Sequence, residues 1–163
     1  KEEVLVLLIE DVRTSLMSVI SQATSTERSA LNKLEHMLEL HLSYVESRKG
    51  ISFVVIAEAA QFQEPRVRAA GRELLEQYLA LVASIVKEGV DQGDIDNSVN
   101  PVAAATLFFG MIQASVTRWL FDSAAHPLTE NTRSLWKLYC ASLDGMNLLK
   151  PSGSQGSSAG TGR

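Results

Sequence analysis

The chain has a single cysteine, Cys140, among 163 residues. A lone thiol closes no intrachain disulfide, and the chain suits a reducing compartment, the cytoplasm. Cys140 stands among Trp136, Tyr139 and Leu143, the setting of a buried structural cysteine. Positive charge is also scarce. Fifteen Lys and Arg face 19 Asp and Glu, for a net charge of −4, so no basic excess marks a nucleic-acid surface on this chain itself. Ten Gly and four Pro exclude a fibrous chain, and 45% hydrophobic residues exclude a disordered one.

Long apolar runs are missing too. The longest uncharged stretch is Asn97 to Thr117, and its apolar part, Val102 to Val116, contains Thr106, Gln113 and Ser115. That falls short of the roughly 18 apolar residues of a membrane span, so a buried core helix is expected and no membrane partner. No signal peptide opens the chain. It begins Lys1-Glu2-Glu3, without an initiator Met and inside a helical pattern, as expected of a fragment of a longer protein or a processed chain.

Motifs for chemistry are equally sparse. A carboxylate metal centre in a helical bundle needs Glu-x-x-His pairs. Three residues before His36, His41 and His126 stand Lys33, Leu38 and Ser123, so no metal is expected. Gly156-Ser157-Ser158-Ala159-Gly160 matches a hydrolase string, but it lies in a Gly/Ser tail without the strand-to-helix turn that mechanism needs. Gly89 and Gly93 have charged neighbours and mark a helix end. No phosphate loop or dinucleotide fingerprint is present, and neither catalysis nor a cofactor is expected.

What the sequence does contain is helical periodicity, about six helices in all. Leu5, Leu8, Ile9, Val12, Leu16, Val19 and Ile20 form one stripe on a first helix from Lys1 to about Ser21. Thr24 and Glu27 fit a capping box that starts a second helix near Ser25; Gly50 stops it. Residues 51–62 have strand-like propensity at Ile51-Ser-Phe-Val-Val-Ile, but a helix is favoured. Pro65 opens a long central helix ending before Gly93, apolar on several faces. Asn100-Pro101 opens the next, to about Asp122. Thr129 is expected to cap a last helix reaching Leu149. The chain thus divides into an all-α domain, residues 1–149, and a flexible Gly/Ser-rich tail, 150–163.

The last two helices are apolar on two sides. Leu107, Gly110, Ala114, Thr117 and Phe121 form one stripe, with small residues at its middle. Leu135, Leu138, Tyr139, Ser142 and Met146 form its counterpart. A helix with two apolar sides has its own core to cover and something else besides, so these residues are expected at a homodimer interface built as a four-helix bundle.

The order of these segments resembles the C-terminal domain of TetR-family transcriptional regulators. The similarity rests on Lys1-Glu2-Glu3-Val4-Leu5, on Glu88-Gly89-Val90-Asp91-Gln92-Gly93-Asp94-Ile95, on Asn100 to Ala104, Phe109 to Gln113 and Arg118 to Leu120, and on Ser134-Leu135-Trp136. The resemblance implies an effector-sensing and dimerising half. The helix-turn-helix head that would precede Lys1 is expected to be missing, and operator DNA would be met only through it. Residues 1–21 would link that head to the sensor, and a bound ligand would swing this linking helix and so change the spacing of two DNA-reading heads.

By the same resemblance a ligand pocket lies among the second to fifth helices. Phe53, Phe62, Tyr78, Val82, Phe109, Gln113 and Trp119 are the candidate lining, with Glu58 or Arg118 as a polar anchor. The expected effector is a small, predominantly apolar molecule with one or two polar groups at most. Two other classes stay open: a helical interaction or scaffold domain without a ligand, and a helical enzyme with an unrecognised site.

Overall fold

The apolar stripes fold as helices throughout. The computed structural model describes residues 2–27 and 29–145, and among them there is no strand. Helix α1 spans Glu2–Thr26, α2 Ala30–Ser47, α3 Ile51–Gln61, α4 Pro65–Gln92, α5 Pro101–Phe121 and α6 Thr132–Leu143. A 3-10 turn, Leu128–Asn131, leads into α6. Met146 and the tail lie outside the described residues. Among the described residues no helix is long and apolar enough to cross a membrane.

Three helix boundaries differ from expectation, one of them the end of α6, which stops at Leu143 with Asp144 as its C-cap, short of Leu149. Thr24 and Glu27 form no capping box; α1 continues to Thr26. The Thr24 and Ser25 hydroxyls turn back to the carbonyls of Ile20 and Gln22, at 3.0 and 2.7 Å. They serve acceptors at the end of one helix, where a capping box would serve donors at the start of the next. Ser29 is the N-cap of α2 instead. Thr129 does not open the last α-helix either. It lies in the 3-10 turn, where its carbonyl accepts from the Thr132 hydroxyl at 2.8 Å, and Asn131 takes the N-cap position. Leu128, buried at the start of this turn, anchors it.

The other signals act as read. Pro65 stands in the first turn of α4 and Gly93 ends that helix in the left-handed region. Asn100 Oδ1 accepts from the backbone N–H of Val102 and Ala103, at 2.9 and 3.0 Å, as an N-cap does. The turn from α2 to α3 is tighter. Lys49 N–H donates to Glu46 O and Gly50 N–H to Val45 O, both at 2.9 Å, the paired bonds of a Schellman ending. Lys49 and Gly50 are both left-handed, with φ of 52° and 74°. Gly50 is pressed against Leu120 of α5: a Cβ there would stand 2.7 Å from Leu120 Cδ2.

Helix α4 is central and packs against α1, α2, α3 and α5. The larger apolar cluster joins the end of α1 to α2, α4, α5 and α6 through residues such as Ile20, Leu38, Val82, Phe108 and Tyr139. A smaller one joins Ile9 and Val12 of α1 to Val55 and Ala59 of α3 and Val67 and Leu74 of α4. Burial of these side chains, each worth roughly 1.5–3 kcal/mol, supplies most of the driving force for the fold. Helix α3 buries only Ser52, Val55 and Ala59.

Candidate functional site

The two apolar clusters do not close completely where they meet. Between α1, α2, α3, α4 and α5 runs a seam with two recesses of about 20 Å³ each. Leu16 of α1, His41 of α2, Ile56 of α3 and Phe109 of α5 line both. Leu74, Leu75 and Tyr78 of α4 complete one; Val12, Val45, Ser52, Phe53, Ile112, Gln113 and Val116 complete the other. Each has room for about one water molecule. In this conformation the interior is nearly filled, and a larger guest would have to part the helices that line the seam.

Polar groups in the seam are few and specific. His41 Nδ1 lies 2.9 Å from the Tyr78 hydroxyl, and the two rings meet edge-on. Burial pulls the His41 pKa down from 6.5 to about 4 and pushes the Tyr78 hydroxyl well above its ordinary value, so both are neutral at physiological pH. Tyr78 also stacks obliquely on Phe109, at 5.6 Å between ring centroids. Ser52 Oγ is buried without a hydrogen-bond partner among the described residues.

The structure brings Phe53, Tyr78, Phe109 and Gln113 to this seam and places the other candidate ligand residues elsewhere. Glu58 is exposed on α3 and lines neither recess, because the inward positions of that helix are Ser52, Val55, Ile56 and Ala59. Phe62 packs on the smaller cluster. Val82 is fully buried in the larger one. Trp119 donates its indole N–H to His126 O at 2.8 Å and lines an outer groove. Arg118 is on the surface beside Asp122, 3.6 Å away. The other ten lining residues were not foreseen, among them Leu16, His41 and Ser52. His41 did leave a signal, since it occupies a core position in the stripe Leu34, Leu38, His41, Leu42, Val45.

A second feature lies on the outer side of α5 and α6. Leu107 is 50% exposed, Phe121 86% and Leu138 72%, with Gly110, Ala114 and Ser142 also exposed. Thr117 and Leu135 are half-buried beside them. Tyr139 does not belong to this face. It is 2% exposed and turned inward, where its hydroxyl donates to Ala104 O at 3.0 Å. A Cβ at Gly110 would meet nothing within 4 Å, so the protomer's own packing does not require glycine there.

The described residues thus form an all-helical bundle whose interior seam reaches its first helix. The model of the C-terminal region of YsiA-like proteins, a TetR C-terminal family, matches residues 10–142. The chain belongs to this family: it is the C-terminal domain of a TetR-family transcriptional regulator and not an enzyme. Among its relatives, the nucleoid occlusion factor SlmA of Photobacterium profundum is 23% identical over 136 residues, covering 83% of this chain and 69% of that protein. The fatty acid metabolism regulator protein of Bacillus subtilis is 23% identical over 138 residues, covering 85% and 71%. The crystal structure of FadR from Bacillus subtilis in complex with stearoyl-CoA matches with a TM-score of 0.77 at 21% identity, over 86% of this chain and 75% of that one. FadR from Bacillus halodurans matches at 0.78 and 20% identity, over 87% and 76%.

Proposed function

We propose that this chain senses an acyl-type apolar effector in the seam and dimerises through α5 and α6, controlling operator binding by a helix-turn-helix head in the cytoplasm. The observation that carries this reading is the position of Leu16. It belongs to α1, the helix that would link sensor to head, and it lines both recesses together with residues of α2, α3, α4 and α5. A guest that widens the seam must displace α1 or α3. Displacing α1 in both protomers alters the separation of two DNA-reading heads, and half-site spacing is geometrically strict. The stearoyl-CoA bound by the FadR structure supports an acyl chain as the guest. The exposed Leu107, Phe121 and Leu138 support a second copy as the cover of α5 and α6.

Titration with stearoyl-CoA tests the sensor reading. At a hundred-fold excess over its Kd the ligand stabilises the fold by about 2.7 kcal/mol, seen as a rise in Tm. Ile56→Trp, which fills the seam, removes the rise while leaving the helical spectrum intact. A Tm unchanged by stearoyl-CoA sinks the acyl assignment.

One observation favours a second reading, a helical interaction domain with no small ligand: the recesses hold only about 20 Å³ each. On that reading no acyl compound of any length shifts Tm, and Ile56→Trp destabilises by overpacking alone.

A further inference from the structure

Ser52 carries an unused hydrogen bond. The hydroxyls of Ser47, Ser84, Thr106, Ser115, Thr117 and Ser142 each donate to a carbonyl three or four residues back. Ser52 stands in the first turn of α3, just after the left-handed pair Lys49 and Gly50, where the preceding chain has turned away from the helix axis. The residue is 4% exposed and its Oγ has no partner among the described residues. A buried hydroxyl without a partner is costly, and native structures retain such groups sparingly.

The recess that Ser52 lines also receives Gln113 of α5, a side chain with both donors and an acceptor and no hydrogen bond among the described residues. His41 lines it too, with one ring nitrogen engaged by Tyr78. Among the described residues every other lining side chain is apolar, and no Lys or Arg reaches the recess. A carboxylate or phosphate would be buried there without a countercharge, so the recess rejects charged groups. A neutral oxygen, by contrast, has the Ser52 hydroxyl and the Gln113 amide among the recess's lining groups, and the space is that of about one water molecule.

We propose that the seam selects an apolar chain bearing a neutral oxygen along its length, a hydroxyl or a ketone, received by Ser52 and Gln113, in preference to the plain hydrocarbon chain. This rests on the reading of the seam as an acyl site. The charged or thioester end of the ligand stays outside the recess, and the in-chain oxygen replaces the water that would otherwise occupy it.

The test is calorimetric titration of this chain with stearoyl-CoA and with octadecanoyl-CoA isomers carrying one hydroxyl at successive chain positions. One isomer is expected to bind at least about tenfold more tightly than stearoyl-CoA, equivalent to about 1.4 kcal/mol. Ser52→Ala should bring that ratio to about one, and Gln113→Leu should lower it as well. If stearoyl-CoA binds and no isomer exceeds it, or if both variants keep the preference, the oxygen-selective recess is refuted and the acyl site stands. If no thioester binds the folded chain, both readings fall.

Discussion

His41 Nδ1 lies 2.9 Å from the hydroxyl of Tyr78, and this bond joins α2 to α4 inside the seam. Both partners are almost fully removed from water, His41 at 7% exposure and Tyr78 at 2%. Each satisfies the other's polar edge, which is why the core tolerates them.

The pair makes stability depend on mildly acidic pH. The unfolded chain takes up the His41 proton at about its ordinary 6.5, whereas the folded chain resists it to about 4. Between those values the unfolded state binds more protons, so stability is complete above pH 6.5 and falls as pH is lowered toward 4. The loss approaches about 3 kcal/mol. His41→Gln should flatten this window in urea titrations followed by circular dichroism. An unchanged slope between pH 6.5 and 4 would show that another group carries it.

Gly50 should not tolerate a side chain. Its φ of 74° is unfavourable for any L-residue, and Leu120 occupies the space a Cβ would need. Gly50→Ala is expected to cost about 1–3 kcal/mol in chemical denaturation. At the neighbouring left-handed position no such clash exists, and Lys49→Gly should stabilise by up to about 1 kcal/mol. Equal effects of the two substitutions would contradict the turn geometry.

How far the sequence revealed this molecule depends on which interactions are local. Asn100, Pro65 and Gly93 act within one turn of themselves, and each marks a helix end as its residue type requires. The Thr24–Glu27 pair misled because a threonine hydroxyl can serve either the helix before it or the one after, and only tertiary placement decides. Only part of the seam's lining was among the candidates. Phe53, Tyr78, Phe109 and Gln113 converge, but Glu58 and Trp119 turn away, since the rotation of each helix about its axis is set by packing across the whole bundle. Ser52 gave almost no signal, because its meaning comes from the turn at Lys49 and Gly50 that denies it a local partner.

Gly110 discriminates between a free and a covered α5. An exposed glycine inside a helix costs about 1 kcal/mol relative to alanine, and nothing in the protomer lies near its missing Cβ. Gly110→Ala therefore stabilises a monomer. In the dimer proposed here, Gly110→Leu instead holds two helices apart and weakens association by about 1–3 kcal/mol. Sedimentation at tens of micromolar reads the difference: the parent chain dimeric, the leucine variant shifted toward monomer. A parent chain already monomeric there would remove the α5–α6 assignment.

Tyr139 and Leu138 are adjacent in sequence and should behave oppositely. Tyr139 is an interior residue: its ring meets Phe108 edge-on at 5.2 Å and its hydroxyl donates to Ala104 O. Burial raises its pKa, so the hydroxyl remains protonated and a donor throughout the neutral range. Tyr139→Phe keeps the ring and loses one buried hydrogen bond, an expected cost of about 1 kcal/mol in stability with no change in oligomeric state. Leu138, one residue earlier, points away from the core at 72% exposure. Leu138→Lys should leave protomer stability within about 0.5 kcal/mol, as surface changes usually do, yet dissociate the dimer by burying two like charges at its interface. Denaturation measured on the dissociated protein and sedimentation measured on both variants separate the two effects. If Tyr139→Phe dissociates the dimer and Leu138→Lys destabilises the protomer, α6 is rotated about its axis relative to this structure, and the proposed interface must be redrawn.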